Sequence, residues 1–197
     1  MDIYEVSPDY VNFLRKYEPK RILINSDDKS QRKFIGVIVK REKYNYVVPL
    51  SSPKYKKDYS INGYSEDFLP EDFSFIKYKN RIVLLKHTTT PVVYMYSHDA
   101  DGIDLLGKLQ CNNMIPVPDS ELFKVKVEEI ADIGYKTLLN KQIIFIRKNE
   151  DELLKKHINV VYQNQKNKRM DIGYISKATP DFDLLEAKHD EWLKNIK

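Results

Sequence analysis

Cysteine, glycine and long apolar runs are scarce in this chain of 197 residues, and each scarcity excludes a class of protein. Cys111 is the single cysteine in the sequence, so the chain can form neither an internal disulfide nor a thiolate cage for a metal. No window approaches the roughly 20 apolar residues that a membrane-spanning helix requires. The first residues lack the basic and apolar segments of a signal peptide. We therefore expect a cytoplasmic protein with no membrane partner.

Familiar catalytic signatures are also missing. With 6 glycines, the chain has no glycine-rich phosphate loop and no Gly-x-Ser-x-Gly elbow. The four histidines form no His-x-His or His-x-x-x-His pair of the kind that binds zinc: His87, His98, His157 and His189. The acidic loop around Asp101 lacks the glycine and glutamate spacing of a calcium-binding hand. We expect neither a metal nor a cofactor, which leaves chemistry that needs only cationic and hydroxyl groups.

Charge and tyrosine are what the chain has in quantity. Lys and Arg outnumber Asp and Glu by 13 to 8 in residues 1–60 and by 13 to 9 in residues 136–197, whereas residues 61–135 carry 7 against 12. If the basic ends fold together, they would form a face for a polyanion such as RNA. A mixed, solvated surface explains these counts equally well. The 14 tyrosines suit stacking on unpaired bases, but they also suit half-buried strands.

Helix signals lie at both ends of the chain. Ser7-Pro8-Asp9 combines an N-cap with proline at the first helical position and predicts a helix to about Tyr17. From about Gly134, apolar residues recur at three- and four-residue spacing and predict further helices, one of them starting near 149–151. Thr179-Pro180-Asp181 repeats the first signal ahead of a last helix.

Short strands are predicted between these helices. Apolar runs at 34–40 and 43–49 flank Arg41-Glu42 and predict a β-hairpin, and Gly36 indicates a bulge or a close backbone approach. Residues 50–80 have no clear period and predict an extended loop. Further strands are predicted at 81–86, 92–96, 105–109, 114–117 and 122–127. The fold class is therefore α+β: a compact, antiparallel, barrel-like sheet surrounded by helices, with a helical C-terminal third, in one domain over 1–197.

The end of the predicted hairpin concentrates cationic and hydroxyl side chains. They stand before its first strand and after its second: Arg32, Lys33, Ser51, Ser52, Lys54, Lys56 and Lys57. Because antiparallel strands return the chain to the same end, both sets can converge. Metal-free cleavage of RNA needs charge stabilisation at phosphorus, which Lys and Arg supply, and a hydroxyl near a lysine can orient the ribose 2′-OH. From spacing alone, a capping turn and a solvated edge are the simpler interpretation.

Six segments in a fixed order resemble the endoribonuclease toxins of type III toxin–antitoxin systems, the ToxN and AbiQ family. They are Tyr4-x-Val6-Ser7-x-x-Tyr10, Arg32-Lys33-Phe34-Ile35-Gly36-Val37, Tyr46-x-x-Pro49-Leu50-Ser51-Ser52-Pro53-Lys54, Asn112-Asn113-Met114-Ile115-Pro116-Val117, Tyr135-Lys136-x-Leu138-Leu139-x-Lys141-Gln142-x-x-Phe145-Ile146-Arg147 and Phe182-x-Leu184-Leu185-Glu186-x-Lys188. The stretch between Lys57 and Leu105 has no counterpart in the shorter family members.

The resemblance implies a fold, an activity and partners. It implies a barrel-like sheet related to the MazF/Kid toxins and metal-independent cleavage of mRNA that leaves a 2′,3′-cyclic phosphate. It also implies inhibition by a repeated antitoxin RNA, folded as a pseudoknot, in a closed toxin–RNA assembly. Some members of the family abort phage infection.

The resemblance further implies roles for single residues. The family's central hydroxyl falls on Ser52, with Ser51 and Lys54 beside it. Arg32 stands where the family pattern has lysine, which favours a phosphate clamp over a proton donor. Tyr10 matches a tyrosine near the family's site, although an aromatic on the buried face of a short helix is an equal alternative. The RNA-binding candidates are Lys33, Tyr55, Lys56, Lys57 and Asn113.

Two other functions remain compatible with these residues. A module that binds structured RNA without cutting it would use the same cationic groove and tyrosines. A protein-interaction subunit would use the last helix, with Trp192, as its contact face. An endoribonuclease toxin is the function that we expect.

Overall fold

The computed structural model describes residues 2–22, 34–54, 59–61, 75–78, 81–85, 89–99, 102–168 and 178–195. The strands in these ranges are β1 (Ile3–Val6), β2 (Phe34–Arg41), β3 (Tyr44–Ser51), β4 (Tyr59–Ile61), β5 (Phe75–Tyr78), β6 (Arg81–Leu85), β7 (Val92–Asp99), β8 (Gly102–Gln110), β9 (Ile115–Pro116) and β10 (Leu122–Lys124). The helices are α1 (Pro8–Arg15), α2 (Ile133–Lys148), α3 (Glu150–Glu152, a π-helical stretch Leu153–Ile158 and Asn159–Lys166) and α4 (Phe182–Asn195). Short 3-10 turns lie at Cys111–Asn113, Asp119–Glu121 and Val127–Glu129.

Seven strands form an antiparallel sheet in the order β10-β1-β2-β3-β8-β7, and β9 pairs with β3 beside this path. The antiparallel sheet and the C-terminal helices confirm the predicted α+β class. In the described ranges the path is open, because β10 and β7 stand at its two ends and do not pair with each other. A closed barrel is therefore not what these strands form.

A second, three-stranded antiparallel sheet has the order β4-β6-β5. Two of its strands lie in residues 50–80, where the sequence predicted a continuous loop. That prediction was wrong for β4 and β5. Strands of three and four residues are too short to show a hydrophobic period, and their pairing with β6 is a tertiary contact that local sequence does not reveal.

The hairpin of β2 and β3 lies in the middle of the large sheet, as predicted. Arg41 pairs with Tyr44 at its tip, so the turn consists of Glu42 and Lys43 rather than the predicted Arg41-Glu42. Glu42 adopts a φ of 52°, the left-handed conformation that tight hairpin turns use.

Gly36 confirms the predicted close backbone approach. It pairs with Tyr4 on one side and with Pro49 on the other. A Cβ atom at this position would lie 2.2 Å from the carbonyl oxygen of Val48. Only glycine fits here without a shift of the two strands.

The large sheet buries side chains on both of its faces. Alternate residues of β2 and β3 belong to different clusters, so each cluster occupies one face. The first cluster packs under α2, α3 and the start of α4, with Val37, Tyr46, Leu139, Val161 and Phe182 among its members. The second packs under α1 and the middle of α4, with Tyr10, Leu14, Val47 and Leu185. Both faces of the hairpin are thereby held in place.

The cap of α1 agrees with the sequence, whereas α4 begins two residues later than the Thr179-Pro180 signal predicts and has Asp181 as its cap. Ser7 Oγ accepts a hydrogen bond from the Tyr10 amide at 3.5 Å at the start of α1. Asp181 Oδ1 accepts one from the Leu184 amide at 3.2 Å at the start of α4. Within the ranges that the structure describes, none of the helices combines the length and the apolar character needed to cross a membrane.

Candidate active site

The strand-end segment (residues 51–54) begins where β3 ends. Ser51 is the last residue of β3 and pairs with Lys108 of β8. Ser52 and Lys54 are exposed, whereas Ser51 is half-buried. The hydroxyl and the cation that the sequence singled out for chemistry therefore both reach the surface at one strand end.

Ser51 differs from its neighbour in where its hydroxyl lies. Its Oγ atom is buried and has no hydrogen-bond partner among the residues that the structure describes. A buried hydroxyl without a partner is unfavourable and uncommon in folded proteins. Within the described ranges, the Ser51 hydroxyl thus keeps unused hydrogen-bonding capacity beside the exposed Ser52.

Lys108 is a cationic residue at this strand end that sequence reasoning missed. Residues directly opposite each other in an antiparallel pair point to the same face, so Lys108 shares a face with Ser51. No local pattern indicates this contact, since the two residues meet only through the pairing of β3 with β8.

Gly107 lies against the backbone of the strand-end segment. It adopts a φ of 97°, and a Cβ atom there would lie 1.9 Å from the carbonyl oxygen of Ser51 and 3.0 Å from the amide nitrogen of Pro53. Gln142 of α2 is 2% exposed and donates its Nε2–H to the carbonyl oxygen of Leu106 at 2.6 Å. Neither Gly107 nor Gln142 was among the predicted site residues.

Five predicted site residues lie outside the described residues: Arg32, Lys33, Tyr55, Lys56 and Lys57. What the structure describes is the start of β2 at Phe34 and the end of β3 at Ser51. Gly36 pairs with Pro49, and this register carries the start of β2 and the end of β3 to the same edge of the hairpin. The convergence of the two cationic stretches stays a prediction.

Tyr10 is in the core and not at the strand-end segment. Its side chain is fully buried, and its hydroxyl donates to the carbonyl oxygen of Pro116 at 2.7 Å. Burial raises the pKa of Tyr10 well above its ordinary value. Pro116 pairs with Tyr46 of β3, five residues from Ser51, which is roughly 17 Å along a strand at about 3.4 Å per residue. These contacts match the alternative interpretation, an aromatic on the buried face of α1.

Asn113 is also buried, with 6% of its surface exposed. Its Nδ2 donates to the carbonyl oxygens of Arg21 at 3.1 Å and Ala178 at 3.2 Å. Asn113 thus joins the chain after α1 to the chain before α4. Its side-chain amide is used for this internal contact rather than presented to a ligand.

Among the described residues, acidic and metal-ligating side chains do not gather at the strand-end segment. Across the described ranges, no group of three or more His, Cys, Asp and Glu side chains is placed to hold a metal ion. The arrangement offers hydroxyls and cations, which can bind a phosphodiester and stabilise charge on its oxygens.

A family model described as the toxin ToxN of type III toxin–antitoxin systems matches residues 2–190. The chain is 31% identical over 189 residues to the endoribonuclease AbiQ of Lactococcus lactis subsp. lactis, covering 94% of this chain and 85% of that protein. The solved structure of AbiQ, a lactococcal anti-phage endoribonuclease of a type III toxin–antitoxin system, has a TM-score of 0.68 at 25% identity over 98% of both chains. A second solved structure, of a type III toxin that a non-coding RNA pseudoknot inhibits selectively, has a TM-score of 0.66 at 26% identity, covering 97% of this chain and 96% of that chain.

Proposed function

Because this chain belongs to the ToxN toxin family of type III toxin–antitoxin systems, we propose that it is an endoribonuclease whose cleavage centre is the strand-end segment. The observation that carries the proposal is the placement of Ser52 and Lys54, both exposed directly after β3. Beside them, the Ser51 hydroxyl has no partner among the described residues. An RNA backbone offers hydrogen-bond partners to the exposed Ser52 hydroxyl and negative charge to Lys54.

The proposed chemistry is attack of the ribose 2′-OH on the adjacent phosphorus, which expels the 5′-oxygen and leaves a 2′,3′-cyclic phosphate and a 5′-OH end. Ser52 orients the attacking hydroxyl, and Lys54 stabilises the charge on the non-bridging oxygens. Ser51, the half-buried neighbour of Ser52, helps to hold Ser52 in position. Arg32 clamps the phosphate as a bidentate donor. The step needs no metal ion, since lysine and arginine supply the positive charge.

The remaining predicted residues are proposed to hold RNA rather than to cleave it. Lys33, Lys56 and Lys57 neutralise phosphates, and Tyr55 stacks on a base. Lys108 joins them, because it pairs with Ser51 at the end of β3 and is itself only half-buried. For Tyr10 and Asn113, the buried contacts support internal roles in the fold.

The partner is proposed to be an antitoxin RNA. The similar toxin of known structure is inhibited by a non-coding RNA pseudoknot, and this chain matches it over 97% of its length. We propose the same class of inhibitor here, in a closed toxin–RNA assembly in the cytoplasm, and a role in abortive phage infection. The wider relation of the sheet to the MazF/Kid toxins is part of the same proposal.

Product-end analysis tests the proposed activity. The purified protein is incubated with RNA in excess EDTA, beside a matched RNA with a 2′-deoxy residue at the cleaved position. Cleavage of the all-ribose RNA to cyclic-phosphate ends, with no cleavage at the deoxy position, supports the proposal. Cleavage that stops in EDTA contradicts the metal-free mechanism. RNA binding without any cleavage indicates the non-catalytic RNA-binding module instead.

A further inference from the structure

The strand β8 contains a β-bulge directly beside the strand-end segment. Along β7 the register advances by one residue, from Met95 to Tyr96, while along β8 it advances by two, from Gly107 to Leu105. Leu106 is therefore the extra residue of the bulge. A bulge bends its strand and leaves the extra residue outside the regular ladder.

Gln142 supplies the hydrogen bond that the bulge needs. The side chain of this residue in the middle of α2 is almost fully buried, and its Nε2–H donates to the Leu106 carbonyl oxygen. A buried carbonyl outside a ladder is costly unless another donor reaches it. Asp104, two residues before Leu106, forms an ion pair with Lys141, the neighbour of Gln142. Consecutive residues of α2 thereby fix the bulged part of β8.

Gly107 connects the bulge to the strand-end segment. It follows Leu106 directly, and its backbone lies so close to residues 51–53 that a Cβ atom would collide with the Ser51 carbonyl oxygen and approach the carbonyl carbon of Ser52 to 2.9 Å. A side chain cannot be placed between β8 and the segment. The segment therefore rests on the backbone of the bulge, and the position of the bulge sets the position of Ser52.

We propose that Gln142 and Gly107 are positioning residues for the cleavage centre, Gln142 by holding the bulge at Leu106 and Gly107 by seating the backbone of residues 51–53. The inference rests on the proposed function. A displacement of about 1 Å at a reacting group costs on the order of 100-fold in rate. A loosened bulge consequently lowers kcat, while the surfaces that bind RNA keep their charge and KM changes little.

Gln142→Met tests the hydrogen bond, with Gln165→Met as the matched control. Both glutamines donate Nε2–H to a backbone carbonyl of another segment, and Gln165 reaches that of Pro180 at 2.5 Å. We expect Gln142→Met to lower kcat about tenfold or more with KM within about threefold, and Gln165→Met to leave both within about threefold. Equal loss of kcat in the two variants, or full activity in Gln142→Met, overturns the proposal.

Gln142→Glu provides a second readout that loss of stability does not produce. Its protonated carboxyl group donates to the Leu106 carbonyl oxygen as the amide does, whereas the ionised form repels that oxygen, and burial raises the pKa of the new carboxyl. The rate of this variant relative to wild type should therefore be highest in acid and fall as the pH rises. A ratio that does not change with pH, measured where circular dichroism shows folded protein, overturns the proposal.

Gly107→Ala tests the contact with the segment, with Val11→Ala as a control for lost stability. Gly107→Ala places a Cβ atom against the Ser51 carbonyl oxygen, whereas Val11→Ala removes buried methyl groups from the second core cluster at α1. Both should lower the melting temperature, and only Gly107→Ala should lower kcat about tenfold or more in the folded protein. An equal effect of the two on kcat contradicts the proposal. If the wild type cleaves RNA and Gln142→Met and Gly107→Ala cleave it as fast as the wild type does, only this inference fails. A wild type that cleaves no RNA overturns the proposed function as well.

Discussion

Ser51 and Ser52 are neighbours in the chain with different surroundings, because β3 ends between them. Ser51 still belongs to β3, and its Oγ atom is enclosed. Ser52 has left the ladder and is exposed. A ribose that approaches from solvent therefore meets Ser52 first, and Ser51 acts from beneath it. This difference is the physical basis for assigning the contact with the 2′-OH to Ser52.

Lys54 is expected to act on the transition state more than on binding. Its ammonium group stabilises charge that develops on the phosphate oxygens, so Lys54→Ala should lower kcat by roughly 100-fold with a smaller change in RNA affinity. Lys56→Ala and Lys57→Ala serve as controls and should mainly weaken binding, each reducing the salt slope by about 1. Single-turnover kinetics and filter binding at several salt concentrations measure both effects. Three equal kinetic defects would mean that the centre lies elsewhere.

Tyr10→Phe separates the two interpretations of Tyr10. The hydroxyl donates to the buried carbonyl oxygen of Pro116, so its removal should cost about 1–3 kcal/mol in the free energy of unfolding. The cleavage rate of the folded variant should equal that of wild type. Tyr17→Phe is the control, since the Tyr17 hydroxyl is in an exposed contact with Glu191 at 3.5 Å. A large loss of rate without loss of stability would restore the catalytic interpretation of Tyr10.

At the scale of elements, local sequence patterns predicted the helices and strands that have their own cap residues or apolar runs. The cap residues of α1 and α4, and the two apolar runs of the first hairpin, predicted those elements to within about two residues. Ser52 and Lys54 were singled out because they follow a recognisable strand and match the family's motif, and their roles stay a prediction.

Long-range contacts explain what the sequence did not predict. Gln142 and Leu106 are 36 residues apart, and the sequence around neither residue predicts a bulge that needs a hydrogen-bond donor. Gly107 gives no visible turn signal, since its positive φ serves a contact with β3 and not a chain reversal. Strands β4 and β5 were missed for the same reason, because their partner β6 specifies them.

The helix α4 is tied to the tip of the first hairpin through Asp190. Its Oδ2 accepts hydrogen bonds from Lys43 Nζ at 2.9 Å and from the Tyr44 hydroxyl at 3.1 Å, and Oδ1 contacts His189 Nδ1 at 3.0 Å. Burial works to raise the pKa of Asp190, but the hydrogen bonds from Lys43, His189 and Tyr44 outweigh it and hold that pKa below its ordinary value.

Asp190→Asn should therefore destabilise the protein in a pH-dependent way. A carboxyl whose pKa is lowered by folding contributes stability above the ordinary carboxyl pKa of about 3.9, and that stability is lost as the pH falls from this value through the lowered pKa of the folded state. Because the side chain is 36% exposed, the loss at neutral pH should stay below about 1 kcal/mol. Urea unfolding from pH 7 down to pH 3 measures it. A wild-type-to-variant difference that grows toward acid contradicts the assignment.

At the scale of the whole molecule, α4 joins the two faces of the sheet. Phe182 packs in the first core cluster and Leu185 in the second. Glu186 is 6% exposed and accepts hydrogen bonds from the Tyr46 hydroxyl at 2.7 Å and from Lys166 at 2.6 Å, so β3 and α3 meet α4 at one carboxylate. Elements from both ends of the chain thus share their core contacts, and a single domain over residues 1–197 stays a prediction.

One cooperative unfolding transition is the expected consequence. Trp192, the single tryptophan of the sequence, lies 4.9 Å from Phe13 and 5.4 Å from Tyr10 between ring centroids, so its fluorescence reports the packing of α4 on α1. Far-ultraviolet circular dichroism reports the backbone of the whole chain. The two probes should give the same midpoint in urea. A fluorescence transition that precedes the loss of circular dichroism would show that α4 unfolds separately.

Ser52→Ala in the purified protein tests the assignment of the cleavage centre most directly, with the exposed Ser120→Ala as the matched control. The single-turnover cleavage rate and the affinity for the inhibitory RNA are measured for both variants and for wild type. Ser52→Ala should lose at least about 100-fold in rate and bind the RNA within about threefold of wild type, while Ser120→Ala should match wild type in both. Cleavage by Ser52→Ala at the wild-type rate would contradict the placement of the active site at the end of β3.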